Sequence, residues 1–421
     1  MSNIFTDKTA MELEKLFTEA LGIKAPWKVT SLKFDSEKQK LIIDVDFEKG
    51  ATFEYVDPES GEVGHYKAYD TRPKSWRHLN FFEHECYIHA RTPRIKTPDG
   101  KIKLILPPWS GVVNGFTLLF EALIMQMCKN MPVSQVGKIL NVMDYKLWHM
   151  LDCYIYKAMY DADYSEMKVA GMDETSLKKG HNYITLFVDM EKKKTTFITE
   201  GKGSKTVKEF AENLEENKGL RNNIKDVSCD MSPAFIKGVR ENLPEAKITF
   251  DKFHVLKIIN EAVDKVRRAE AKDNGVLKGS RYIFLKNESN LSKKEQAKKE
   301  SLSQMNLKSM KALSIREAFQ AIYSAPTTET FEQLLKKWYF WATHSRMPQI
   351  VSVAKTIKNH WEGILAWKVS EINNGILEGL NSVIQAAKRK ARGYKIEHFK
   401  VMAYLLTGRL NFNKVNPYLP T

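Results

Sequence analysis

The chain has 421 residues, 43% of them hydrophobic, which allows several folded domains and excludes an intrinsically disordered protein. Lysine and arginine number 66 against 51 acids, a formal charge of +15, so the expected partner is a polyanion, most simply nucleic acid. No apolar run is long enough to span a membrane, the opening MSNIFTDKTAMELEKLF lacks a signal-peptide layout, and Cys86, Cys128, Cys153 and Cys229 are scattered without a CxxC; a cytoplasmic protein with reduced thiols is expected.

Apolar spacing predicts a helix over 7–22, closed by Gly22, then two alternating strands, WKVTSLKF (27–34) and KLIIDVDFE (40–48). Residues 51–105 read as short strands and loops with a hairpin turn at 99–101, and PPWSG (107–111) reads as a linker. Residues 116–160 turn helical. FTLLFEALIMQMCKN (116–130) is apolar almost all round, and PVSQVGKILN (132–141) opens on Pro132 and Ser134 as a short helix does. A VMD turn then places Asp144 to cap YKLWHMLDCYIYKAMY (145–160). Helix, short helix, tight turn and longer helix is the helix-turn-helix order; an ordinary helical hairpin has the same pattern, and the basic charge favours DNA reading. In that reading Tyr145, Lys146 and His149 face base edges from the start of the recognition helix.

From residue 167 the pattern mixes. KVAGMDE, HNYITLFVDM and KTTFITEG read as three strands, followed by helix (204–217), strand (224–230), helix (232–243) and strand (246–251). This order is that of a ribonuclease-H-like sheet. Residues 252–368 and 369–412 are largely helical; the dense Trp338, Trp341, Trp361 and Trp367 have helix-core spacing, with stacking on an unpaired base as the rival reading.

Asp173 and Asp230 end the first and fourth of those strands, where open α/β sheets gather ligands. Carboxylate oxygens suit Mg²⁺, and two such ions can drive phosphodiester cleavage. A third acid on a helix beside the sheet would complete the set, and Glu378, alone in the apolar stretch NNGILEGLN (373–381), is the candidate. Glu174, Asp189, Asp226 and Asp251 are nearby alternatives, and spacing does not choose among them. His254, in DKFHVLK, reads as a structural or supporting histidine rather than a ligand.

GMDETSLKKGHNYITLFVDM, CDMSPAFIKGVRENLPEAKITFDKFHVLKIINEAVDKVRR, LLKKWYFWATHSR and NNGILEGLNSVIQAAKRKARGY together resemble the DDE transposases of bacterial insertion sequences, of the ISL-three (ISL3) type, over about Pro26 to Phe412. The resemblance matches the first acid, in GxDE, to Asp173, the second, in DMSP, to Asp230, and the third, in NGxxEGLN, to Glu378. It implies a multidomain α+β protein: a small β-rich module (1–106), a helix-turn-helix (112–163), a ribonuclease-H-like core (164–264), a helical insertion (265–368) and a final core segment (369–421). It also implies Mg²⁺-dependent hydrolysis and strand transfer at the ends of an insertion sequence, with two Mg²⁺ per site and Mn²⁺ able to substitute. The implied partners are double-stranded DNA (terminal inverted repeats and target) and further copies of the chain assembled on that DNA, with a nucleoid-associated location.

The family usually carries an N-terminal zinc module; here the matching positions, YVDPESG (55–61) and KTPDGK (96–101), hold no Cys or His, so no zinc is expected. HECYIH (84–89) is the one nearby cluster, and strand alternation puts His84 and Cys86 on one face and His89 on the other. After Glu378 comes KRKARGYK, whose Lys388, Arg389, Lys390, Arg392 and Lys395 are expected to contact phosphates; a solvated basic face is the rival reading. Two rival functions remain: a structure-specific nuclease of the same fold, which the long insertion and helix-turn-helix oppose, and a catalytically inactive transposase-derived DNA-binding protein, which the intact acids oppose.

Overall fold

Alternating apolar residues build the first sheet. In the computed structural model, which describes residues 2–178, 182–370, 372 and 375–419, helix α1 (Ser2–Ala20) precedes β1 (Trp27–Asp35), β2 (Lys40–Phe47), β3 (Thr52–Val56), β4 (Val63–Lys67), β5 (Asp70–Phe81), β6 (His84–Lys96) and β7 (Ile102–Leu104). The sheet runs β1-β2-β6-β5 with β7 on β6, and β3–β4 is a separate hairpin. Leu41, Ile43 and Val45 pair across to Cys86, Ile88 and Ala90, and all six are buried with Trp27, Phe47, Phe53 and Trp76. Residues 107–111, expected as a linker, belong to this core. The Trp109 ring stands edge-on to Trp27 (5.1 Å) and Trp76 (5.9 Å), and the Trp76 indole donates to Ser110 Oγ (3.1 Å). Proline interrupts the strand pattern there, but the ring beside it gains too much from burial to be left in a linker.

Helices α2 (Leu118–Asn130), α3 (Val133–Leu140) and α4 (Asp144–Tyr160) follow. Thr117 caps α2, and α3 ends on Asn141 in the left-handed region (φ 53°), which turns the chain into α4. Asp144 is the first residue of α4 rather than its cap: Met143 holds the cap position and no side chain bonds there. The acid still sits in the first turn, where the helix dipole favours it. Buried Glu121 ties these parts together. It accepts from Val112 N (3.0 Å), Val113 N (2.8 Å) and the Tyr154 hydroxyl (2.8 Å), and Asn416 donates to both the Tyr154 oxygen (2.8 Å) and the Leu118 carbonyl (2.7 Å).

The second sheet contains β8 (Val169–Lys178), β9 (Asn182–Asp189), β10 (Lys194–Glu200), β11 (Asp226–Cys229) and β12 (Lys247–Phe250), with α5 (Ser204–Glu216) and α6 (Pro233–Asn242) in the crossovers. Its order is β10-β9-β8-β11-β12; the first three strands are antiparallel, and β8, β11 and β12 are parallel. Helices α7 (Lys252–Glu270), α8 (Arg281–Leu285), α9 (Lys293–Ser303), α10 (Lys308–Ile322), α11 (Thr328–Thr343), α12 (Pro348–Asn359) and α13 (Trp361–Ser370) come next, then α14 (Gly375–Lys390) and α15 (Ile396–Thr407). Trp338 and Trp361 are buried and Trp367 packs on Tyr323 at 4.7 Å, while Trp341 is 44% exposed. The chain divides into two units: residues 1–161 with 387–405 and 410–421, and residues 162–386 with 406–409. Among the described residues, no helix is long and apolar enough to cross a membrane.

In the first unit, His78 Nδ1 lies 2.9 Å from Thr117 Oγ1, and burial pushes the imidazole pKa down from 6.5 to about 4. The unfolded chain takes this proton first as pH falls. The neutral ring therefore favours the fold fully above pH 6.5, and that preference is lost towards pH 4. Denaturation at several pH values should show stability falling through this window by up to about 3 kcal/mol. His78→Asn should flatten the slope, and an unchanged slope would remove His78 as its cause.

Candidate active site

Strand β8 presents two faces. Ala170 and Met172 point into the main core with Phe187, Phe210 and Val227, while Val169 and Gly171 meet a smaller cluster formed by Val188, Met190, Leu377 and Leu380. Asp173 and Thr175 continue the Gly171 face by strand alternation. There the Asp173 carboxylate accepts from the Asn381 side chain, and Thr175 Oγ1 accepts from Gln385 Nε2 (2.7 Å). Asn381 and Gln385 follow Leu377 at helical steps of four, so one side of α14 tracks one side of β8. Of the NGxxEGLN motif, Asn374 lies outside the described residues, as does Asn373 before it.

The parallel register aligns the acids. Asp226 pairs with Val169 and Ser228 with Gly171; carried two residues on, the same register sets Asp230 beside Asp173. Cys229 pairs with Phe250, so Asp251 stands beside Asp230. Asp173, Asp230, Asp251 and Glu378 line one pocket of about 250 Å³, with Phe253, His254 and Lys257 on its rim. Glu174, Asp189 and Asp226 do not line it. Asp189 instead holds the turn after β9, accepting from Glu191 N (3.0 Å) and Lys192 N (2.8 Å).

Sequence reasoning weighed Asp251 only as a strand-end alternative, and it did not find Asn381 or Gln385. Asp251 caps α7 through Phe253 N (2.9 Å), and its second oxygen lies 3.1 Å from His254 Nδ1, out of line for a full hydrogen bond. The cap position of DKFH was the available signal, as was the helical spacing of Asn381 and Gln385 from Glu378.

Crowding sets the electrostatics. Burial, with Asp251 adding to it, pushes the Asp173 pKa up. Glu378 is pushed up by desolvation and then by Asp251 and Asp173, although its side chain is largely exposed. Glu174, on the opposite face of β8, is raised by burial and by Asp230. Asp251 beside His254 holds the imidazole pKa up. Cys229 also lines the pocket, but burial drives its thiol far up and keeps it protonated.

The segments expected to contact DNA both fall in the first unit. Tyr145 and His149 are exposed on α4, and Lys146 is half-buried with its ammonium 6.0 Å from the Phe116 ring centre. Arg389, Lys390, Arg392 and Lys395 are exposed, whereas Lys388 is half-buried and burial lowers its pKa. Trp148 of α4 joins the two segments, stacked on His398 at 3.7 Å and edge-on to Tyr394 at 5.9 Å.

At the positions matched to zinc ligands, the chain closes its turns with its own polar groups. Asp57 accepts from Glu59 N (2.9 Å) and Ser60 N (3.0 Å), and Thr97 N donates to the Lys101 carbonyl (2.9 Å). Cys86 is buried in the core and burial pushes its thiol up to about 11, while His84 packs on Phe34 and His89 lies 3.7 Å from Asp44.

A family model described as "Transposase", of the DDE ISL3 group, matches residues 170–403, which hold all three motif acids. The chain belongs to the ISL3 family of DDE transposases. It is 25% identical over 342 residues to the transposase for insertion sequence element IS1001 of Bordetella parapertussis, covering 79% of this chain and 84% of that protein. It is 23% identical over 367 residues to the transposase for insertion sequence element IS1557 of Mycobacterium tuberculosis, covering 79% and 81%.

The pocket of this transposase fits hard divalent cations by its chemistry. Four carboxylates line it, and burial and neighbouring acids penalise the charge of Asp173 and Glu378, a cost that a cation would relieve. Among the described residues, no three His, Cys, Asp or Glu side chains are already arranged as a metal-holding group. Mg²⁺ should therefore raise the melting temperature of the wild-type chain in a concentration-dependent way, about 2.7 kcal/mol at a hundredfold excess over Kd. Glu378→Gln should blunt that rise while melting no lower than wild type in EDTA, because it removes one repelling charge. An undiminished Mg²⁺ effect in Glu378→Gln would take that residue out of the metal set.

Proposed function

We propose that this transposase hydrolyses and rejoins phosphodiester bonds at the ends of an insertion sequence, with Asp173, Asp230 and Glu378 as its catalytic acids. The observation that carries this reading is the shared register of β8 and β11, which sets Asp230 beside Asp173 on the same pocket as Glu378. We read the five-stranded sheet as a ribonuclease-H-like core; three antiparallel strands followed by two parallel ones, with helices in the crossovers, support that. The end of α7 and helices α8–α13 are then the insertion, residues 265–368, between the second and third acids.

The three acids would hold two Mg²⁺ ions, which when bound supply an activated attacking oxygen and a stabilised leaving oxygen for in-line displacement. The chain's own residues do the rest. Asn381 and the Glu174 amide fix the two oxygens of Asp173, the Ser232 amide fixes Asp230 Oδ1 at 2.9 Å, and His254 stands 3.1 Å from Asp251. Rigid placement of this kind is what positional catalysis demands. Helices α3 and α4 read the terminal inverted repeats as a helix-turn-helix, the 388–395 segment grips phosphates, and copies of the chain assemble on the paired ends and the target DNA.

Asp173→Asn, Asp230→Asn and Glu378→Gln should each abolish strand cleavage in Mg²⁺ while leaving affinity for terminal-repeat DNA intact. Wild-type cleavage by any one of them would remove that residue from the catalytic set.

The two DNA-contacting segments should fail differently. Lys146→Ala with His149→Ala should reduce the preference for terminal-repeat over random DNA, by about 1–3 kcal/mol for each base edge no longer read. Lys388→Ala with Arg389→Ala should weaken both DNAs alike and flatten the salt dependence by about 0.9 in slope per phosphate contact. Equal losses on both DNAs from the helix variant would place sequence reading elsewhere, in the N-terminal module.

A further inference from the structure

We propose that a basic cleft between α7, α8 and α10 holds an unpaired stretch of DNA strand and leads it into the acid pocket, with Phe253 stacking on a base at the entrance. This rests on the acid pocket being a strand-cleaving site. The cleft has a volume of about 700 Å³ and its walls include Lys252, Lys257, Lys265, Arg281 and Arg316. Its carboxylates are Glu261 and Asp264, and Asp264 is already taken by Arg267 (2.8 Å) and Arg268 (3.2 Å). The surplus is cationic.

Continuity with the acid pocket is the first argument. Phe253 and Lys257 line both spaces. Helix α7 begins at the acid pocket, where Asp251 caps it, and its stripe of Phe253, Lys257, Asn260, Asp264 and Arg268 lines the cleft at helical spacing. That stripe rises about 22 Å, a track several nucleotides long rather than a seat for one small anion.

Arg316 is the second. It is 4% exposed, and its guanidinium donates to Asn260 Oδ1 (3.0 Å), the Lys286 carbonyl (3.2 Å) and Asn287 Oδ1 (2.9 Å), all neutral oxygens. Among the described residues no carboxylate lies within ion-pair distance of it, and the adjacent Glu317 pairs with Lys299 (2.9 Å). A buried charge held this way lacks a counter-ion, and a phosphate entering the cleft supplies one.

Phe253 decides the occupant. It is 52% exposed at the end of an otherwise cationic groove. Cations that track a backbone beside an aromatic ring that stacks a base are what single-stranded nucleic acid requires.

The test uses the full chain in EDTA, with a fluorescent oligothymidylate and a blunt duplex of equal length, across several salt concentrations. Lys257→Ala with Arg281→Ala should weaken single-strand binding about tenfold or more and flatten its salt slope by about 1.4, at about 0.7 per phosphate contact. Duplex affinity should stay within about twofold. A 2-aminopurine in the single strand should be quenched by wild type and by Phe253→Tyr but not by Phe253→Ala. Unchanged single-strand binding by the folded double variant, or an equal loss on both DNAs, would overturn the cleft. Quenching that survives Phe253→Ala would overturn the stacking. No cleavage is measured, so failure here leaves the acid pocket standing; that reading fails separately, if Asp173→Asn still cuts.

Discussion

Helix α14 lies along strand β8 because their repeats nearly match: four helical residues rise about 6 Å and two strand residues about 6.7 Å. Three successive contacts use that match, Leu377 on Gly171, Asn381 on Asp173 and Gln385 on Thr175. The first contact is a close one, which a side chain at 171 would force Met190 and Leu377 to yield to. A Cβ at position 171 would stand 2.4 Å from the Met190 sulfur and 3.1 Å from Leu377. With the helix seated, Glu378 is delivered to the pocket as the neighbour of Leu377.

The pocket is locally unfavourable, and the fold tolerates it because it sits at the rim of a large core. Asp173 is held among like charges, and burial penalises its ionised form. On the other side of the same strand, Met172 belongs to a cluster that includes Phe187, Phe210, Val227, Phe235 and Phe250. Sites that break local rules are commonly functional, and here the crowded acids gather where β8, β11 and β12 meet one pocket.

Much of the architecture was legible in the sequence because it is written in local periodicity. The strands around Asp173 and Asp230 and the helices from 116 to 160 formed where alternation and helical spacing put them. What decides among the acids is register, which depends on pairing between strands far apart in the chain and leaves no local mark. Asp173, Asp230, Asp226 and Asp189 look alike as strand ends; only the pairing of Val169 with Asp226 separates them. Glu378 stood out as the lone acid in an apolar stretch, and the family resemblance matched it to the third acid. The linker reading of 107–111 gave weight to the prolines and too little to Trp109, whose burial settles the segment. The charges of the α7–α10 cleft are spread over residues 252–316 and never form a run, so they become a patch only when the helices pack.

The partners Asn381 and Asp173 are 208 residues apart in the chain. At ribosomal speeds of about 5–20 residues per second, the strand exists on the order of 10–40 s before the helix that completes its pocket. Until then Asp173 lacks Asn381, and the Gly171 face lacks Leu377. The pocket beside β8 therefore cannot be assembled until α14, far along the polypeptide, has been made.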